Sequence, residues 1–160
     1  MPGPHHHYAT ELTWTGNTGD GTATYRSYRR TCEVRAEGKP TLAGSSDPHF
    51  RGDADRWNPE ELLVAALSQC HLLAFLHAAA DSGVVVVDYS DAASGTLRTE
   101  GTGGQMTGVL LRPVVTVAEP EMAEACAGLH ERAHRDCFIA SSVNFPVTHE
   151  PAVRVASPAP

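Results

Sequence analysis

Asn58-Pro59-Glu60-Glu61-Leu62-Leu63-Val64-Ala65-Ala66-Leu67-Ser68-Gln69-Cys70-His71-Leu72-Leu73-Ala74-Phe75-Leu76 decides the fold. It reads as a long helix with a defined start. Asn58 suits the N-cap, because its side-chain oxygen accepts a bond from a backbone N–H that has no helical partner. Pro59 fits the first helical position, where a missing N–H costs nothing. Glu60 and Glu61 set negative charge against the positive end of the helix dipole. The body is apolar nearly all the way round, as in a helix enclosed by a domain or an interface. One thiol, Cys70, lies in the middle of it.

Outward from this helix, the chain of 160 residues is the size of one domain and can bury a core without disulfide staples. A formal charge of −7 with no long basic run argues against nucleic acid or an anionic membrane surface as a partner. The longest apolar stretch, within 62–80, is broken by Ser68, Gln69, Cys70, His71 and His77, so no membrane span is expected. The start carries no signal-peptide pattern, and a soluble cytoplasmic protein is expected. Cys32, Cys70, Cys126 and Cys137 are too few and too far apart for a disulfide scaffold, and none forms a C-x-x-C pair.

Residues 1–7 read as a disordered tail, 8–156 as a single domain and 157–160 as a second loose tail. Tyr8 to Trp14 has strand character, and Thr15 to Gly21 reads as a turn rich in Gly, Asn and Asp. Thr22 to Val34 is expected to return as the second strand of a hairpin. Gly44 to Trp57 is a long polar loop, of the kind that often carries function. The central helix is expected to end at Ser82-Gly83. Val84 to Tyr89, Ser94 to Glu100, Gly108 to Ala118 and Phe145 to Val155 read as strands, with Pro113 marking an edge or a bulge. Pro120 to Arg135 reads as a second helix whose inner stripe holds Met122, Cys126, Leu129, His130 and Ala133. The class is α+β with an antiparallel sheet.

Apolar residues surround Cys70 at helical spacing, so by pattern alone it is a small buried hydrophobe. Burial raises a thiol's pKa, and a reactive Cys70 therefore needs a cation or a hydrogen-bond donor beside it. Glu60 cannot supply that contact, since ten helical residues rise about 15 Å. A bridging arginine could. His71 points about 100° away around the helix, and His77 reads as a core histidine on Cys70's side. Cys126 reads as core. Cys137 lies at a helix boundary flanked by basic residues, which would favour a thiolate.

Asn58-Pro59-Glu60-Glu61-Leu62 leading to Cys70, with Ala133-His134 ahead of Cys137 and a final strand, closely resembles the OsmC/Ohr family, the osmotically inducible and organic hydroperoxide resistance proteins. The resemblance spans about Leu12 to Val155. It implies an intertwined homodimer, with sheets wrapped around long central helices and active sites at the interface. It implies a thiol peroxidase in which Cys70 is peroxidatic and Cys137 resolving, re-reduced by a small dithiol or a lipoyl-type thiol, with neither metal nor organic cofactor. Glu60 matches the glutamate that orients a thiolate-stabilising arginine. Arg56 is the first candidate for that arginine, Arg51 a weaker one and Arg26 a more distant one; His49, before Phe50-Arg51-Gly52, stands where one branch has arginine. Cys137-Phe138-Ile139-Ala140-Ser141 also departs from the Cys-Pro-Val-Ser of the familiar branches and points to a less studied subgroup.

Two functions compete. One is a peroxidase favouring organic hydroperoxides, suited by an apolar surround at Cys70. The other is a binding module of the same scaffold that holds a small apolar ligand. A metal site built from His71, His77, His130 or His134 finds no support in ligand spacing.

Overall fold

A computed structural model of the protein describes residues 3–157. The tails expected at 1–7 and 157–160 fall partly on residues 1–2 and 158–160, which lie outside the described residues. The chain divides into two compact units, Met1–Leu62 and Leu63–Pro160.

The first unit holds one antiparallel sheet of three strands: β1 (Glu11–Trp14), β2 (Cys32–Arg35) and β3 (Leu42–Gly44). Leu12 faces Val34, Trp14 faces Cys32, and Cys32 faces Gly44. The connection from β1 to β2 is longer than the expected turn at Thr15 to Gly21, for Thr22 to Arg30 forms mostly turns instead of strand. Asn17 Oδ1 accepts the N–H groups of Gly19 and Gly21, both at positive φ. The Arg30 guanidinium lies 4.3 Å and 4.1 Å from the ring centres of Tyr25 and Tyr28 and donates to both residues' carbonyl oxygens. These local closures outweigh the β propensity of Thr and Tyr. The loop that follows β3 includes a 3-10 turn at Pro48–Phe50, capped by Asp47. Gly52 packs so closely on this loop that a Cβ there would stand 1.5 Å from the Ser46 carbonyl oxygen.

Helix α1 (Pro59–Asp81) starts with a reciprocal cap. Glu61 N–H donates to Asn58 Oδ1 at 2.8 Å, and Asn58 N–H donates to a Glu61 carboxylate oxygen at 3.2 Å. Its length and apolar composition would suit a membrane span. Its residues Leu67, His71, Phe75, Ala78 and Ala79 are nevertheless buried in the second unit's own core. Gly83, at φ +72, follows its end as expected.

The second unit bends one three-stranded ribbon into two sheets. One has the order β4 (Val86–Asp91), β7 (Pro113–Val117), β9 (Ala152–Val155). The other has β5 (Ser94–Glu100), β6 (Gly103–Leu111), β8 (Val147–His149). Each long strand passes from one sheet to the other at a corner. Asp91 fastens those corners, accepting the Arg112 backbone N–H at 2.6 Å and the Ser68 hydroxyl of α1 at 2.5 Å. The strands expected at Gly108 to Ala118 and at Phe145 to Val155 are therefore each broken in two. Pro113 opens a central strand, a position where its missing N–H is tolerated. The α+β class holds, and to its antiparallel pairings the structure adds two parallel ones, β6 with β8 and β7 with β9.

Helix α2 (Cys126–Asp136) crosses between β7 and β8, shorter than expected because Pro120–Met122 forms a separate 3-10 turn. Cys126, Leu129, His130 and Ala133 are its buried stripe. Phe75, Ala78, Ala79, Val115, Val117, Leu129 and Ala133 make one core cluster; Leu67, Val109, Leu111 and Val147 make another.

Candidate active site

Cys70 and Cys137 come together inside the second unit. Cys70 sits at the margin of α1's buried stripe and is half-buried; its neighbour His71 points into the core in its place. Cys137 closes α2 in an extended conformation and is buried. The two thiols are 67 positions apart in sequence and interact side chain to side chain. Burial first, and the hydrogen bond with Cys70 second, push the Cys137 thiol up to about 11. The Ala140 N–H, 3.4 Å from Cys137 Sγ, works in the opposite direction. The basic residues around Cys137 therefore do not make it a thiolate: burial keeps its thiol protonated. All four cysteines are free.

A short 3-10 turn, Ala140–Ser142, fixes the chain beyond Cys137. Ser141 Oγ donates to the Cys137 carbonyl at 3.1 Å, and Ser142 Oγ donates to that of Phe138 at 2.7 Å. Phe138 is left 81% exposed beside the buried thiol.

In the first unit, Glu60 lies in the first turn of α1, half-buried, while its neighbour Glu61 is taken up by the cap. Arg56 is half-buried two residues before Asn58. Arg51 is exposed and adopts the left-handed conformation at φ 67, closing the Pro48–Phe50 turn. His49 is bound to Asp47, Nδ1 to Oδ1 at 2.7 Å. Among the described residues of this unit, no arginine forms an ion pair with Glu60. The arginine that does find a buried-side carboxylate is Arg29, not weighed from the sequence, whose guanidinium lies 2.6 Å from Asp53. That contact holds the Asp53 carboxyl below its usual range.

Sequence reading also missed a cluster of histidines in the second unit. His71 and His130 are both fully buried, with Nε2 of the first 3.0 Å from Nδ1 of the second. His149 lies beside both rings, and His134 beside His149. His77, expected in the core, is exposed. No group of three or more His, Cys, Asp or Glu among the described residues is arranged to hold a metal.

The model of the family described as OsmC-like protein matches residues 52–151. An OsmC-like protein of unknown function from Vibrio cholerae is 32% identical, with a TM-score of 0.81 over 92% of this chain and 99% of the other. An organic hydroperoxide resistance protein OsmC from Legionella pneumophila, at 21% identity, superposes with a TM-score of 0.66 over 95% and 99% of the two chains. An organic hydroperoxide resistance protein from Elizabethkingia anophelis, at 19% identity, does so with 0.65 over 94% and 99%. These last two share the fold. No curated protein matches the chain.

Proposed function

The chain belongs to the OsmC-like family, and from that premise we propose that it is a cysteine-based peroxidase acting on organic hydroperoxides. The observation that carries the reading is the meeting of Cys70, in the middle of α1, with Cys137, at the end of α2. The thiolate is the form of a cysteine that attacks peroxide. The Cys70 thiolate attacks the O–O bond and takes one oxygen as a sulfenic acid. The alkoxide released takes a proton and leaves as the alcohol. Cys137 then contributes its sulfur to a Cys70–Cys137 disulfide, and the sulfenic oxygen departs as water. A small dithiol or lipoyl-type thiol reopens the disulfide by exchange, ending as its own disulfide. Glu60 orients an arginine toward the Cys70 thiolate, Arg56 in the first place and Arg51 in the second.

The working form is a homodimer. Ala65, Gln69, Leu73, Leu76 and Ala80 lie along one face of α1 at helical spacing and are exposed, Leu73 by 59% and Leu76 by 39%. Such an apolar stripe suits burial against a second copy. Four widely spaced cysteines without a C-x-x-C pair fit a cytoplasmic setting.

The reading is tested by following cumene hydroperoxide with a dithiol as electron donor. Wild-type protein is expected to turn over and Cys70→Ser to be inactive. Cys137→Ser is expected to consume one equivalent and then overoxidise at Cys70. Full activity in Cys70→Ser removes Cys70 as the peroxidatic thiol, and no turnover by the wild-type protein leaves the apolar-ligand module.

A further inference from the structure

The His71–His130 contact links the two helices that carry the thiols. His71 follows Cys70 directly on α1, and His130 lies two helical turns before Cys137 on the same side of α2. Their ring centres are 5.3 Å apart, their planes differ by 2°, and the N···N gap is 3.0 Å. The centre-to-centre distance is thus spanned by one ring radius on each side plus the N···N contact. The rings lie edge to edge in one plane, nitrogen facing nitrogen, and do not stack face on face. One nitrogen donates and the other accepts in a near-linear bond.

The surroundings hold that bond in place. Phe75, one turn on from His71, packs face on against His130 with centres 4.2 Å apart. His149 from β8 flanks both rings at 5.5 Å and 5.9 Å, with Nε2 3.2 Å from Glu131. His134 on α2 approaches His149, and Asp91 on β4 acts on His71 against the effect of burial. His130 Nε2 has no partner and is buried, so His71 is the only polar group that holds this ring among the described residues. Burial, and then the neighbouring imidazoles, keep both rings neutral at pH 7.

We infer that His71 and His130 are positioning residues for disulfide closure: their single N–H···N bond sets α1 against α2 so that Cys70 and Cys137 stay within bonding reach. This rests on the reading of Cys70 and Cys137 as a disulfide-forming pair. Neither imidazole needs to touch the peroxide, so the first oxidation of Cys70 is independent of the bond. Closure depends on it, because a displacement on the order of 1 Å between reacting groups costs up to about a hundredfold in rate.

The test separates closure from peroxide chemistry by using diamide, which drives the two thiols to a disulfide without a peroxide. Each chain is checked for its fold by near-ultraviolet circular dichroism. His71→Gln keeps an amide able to reach His130 Nδ1 and is expected to close within about twofold of wild type. His71→Leu keeps the volume but not the bond and is expected to close on the order of tenfold more slowly. If that chain does not fold, His71→Asn, too short to reach His130, takes its place with the same expectation. In a Cys137→Ser background, His71→Gln and the slow variant are expected to form Cys70 sulfenic acid from cumene hydroperoxide at equal rates. Equal closure in the bonded and unbonded folded variants overturns the inference, as does slow closure in His71→Gln. Absence of peroxide reaction with normal diamide closure would instead defeat the peroxidase reading and leave the positioning role standing.

Discussion

Glu60 and Arg56 are where the proposed chemistry depends on single charges. A cation over Cys70 favours the thiolate. Arg56→Ala and Glu60→Gln should each lower the rate of Cys70 with cumene hydroperoxide by up to about tenfold at low pH, with the deficit shrinking as the pH rises. Stopped-flow measurement across pH checks both size and trend; a deficit constant with pH would contradict the role. At this scale the choice of Cys70 and Cys137 rests on the resemblance of their sequence neighbourhoods to a known family. Physics alone made Cys70 inert core. The structure moves it to the edge of the buried stripe and gives the core position to His71. The His71–His130 bond was hidden for a different reason. Its partners are 59 residues apart, and nothing in the periodicity of either helix says that two inward-facing imidazoles meet.

Helix α1 was readable almost residue by residue, since its cap, first-turn charges and terminal glycine are local signals. The cap makes a prediction. Asn58→Ala removes the acceptor for the Glu61 N–H and is expected to cost about 1 kcal/mol, a fall of roughly 2–4 °C in melting temperature for a chain of this size. A thermal melt that does not move would show that the cap carries no such share. The strands were less legible. β6 and β7 read as one strand in sequence, interrupted only by Arg112-Pro113, and the bond from Arg112 N–H to Asp91 helps fasten the corner between them. Thr22 to Arg30 has strand composition, yet Arg30 between Tyr25 and Tyr28 folds it back as turns.

Across the whole molecule, two consequences can be measured. The buried histidines tie stability to pH. In the unfolded chain they titrate near 6.5, but in the folded chain burial first lowers His71 to about 4 and His130 to about 3. The unfolded state then binds more protons between those values, so stability is full above pH 6.5 and falls as the pH drops toward 4 and then 3. The urea midpoint at pH 5 should lie clearly below that at pH 7.5, and equal midpoints would contradict the burial of a neutral pair. The second consequence concerns assembly. Leu73→Lys with Leu76→Lys places charge on the exposed stripe of α1 and is expected to turn a dimer into a monomer by light scattering. A dimer that survives both changes would place its interface elsewhere. The stripe itself was legible, because a helix apolar all the way round has more apolar surface than one chain can cover.

The most direct measurement is peptide mapping under non-reducing conditions after one equivalent of cumene hydroperoxide. The account predicts a single new intramolecular link, Cys70 to Cys137, with Cys32 and Cys126 still free to alkylate. Four alkylatable thiols after exposure, or a link from Cys70 to Cys32 or Cys126, would contradict it.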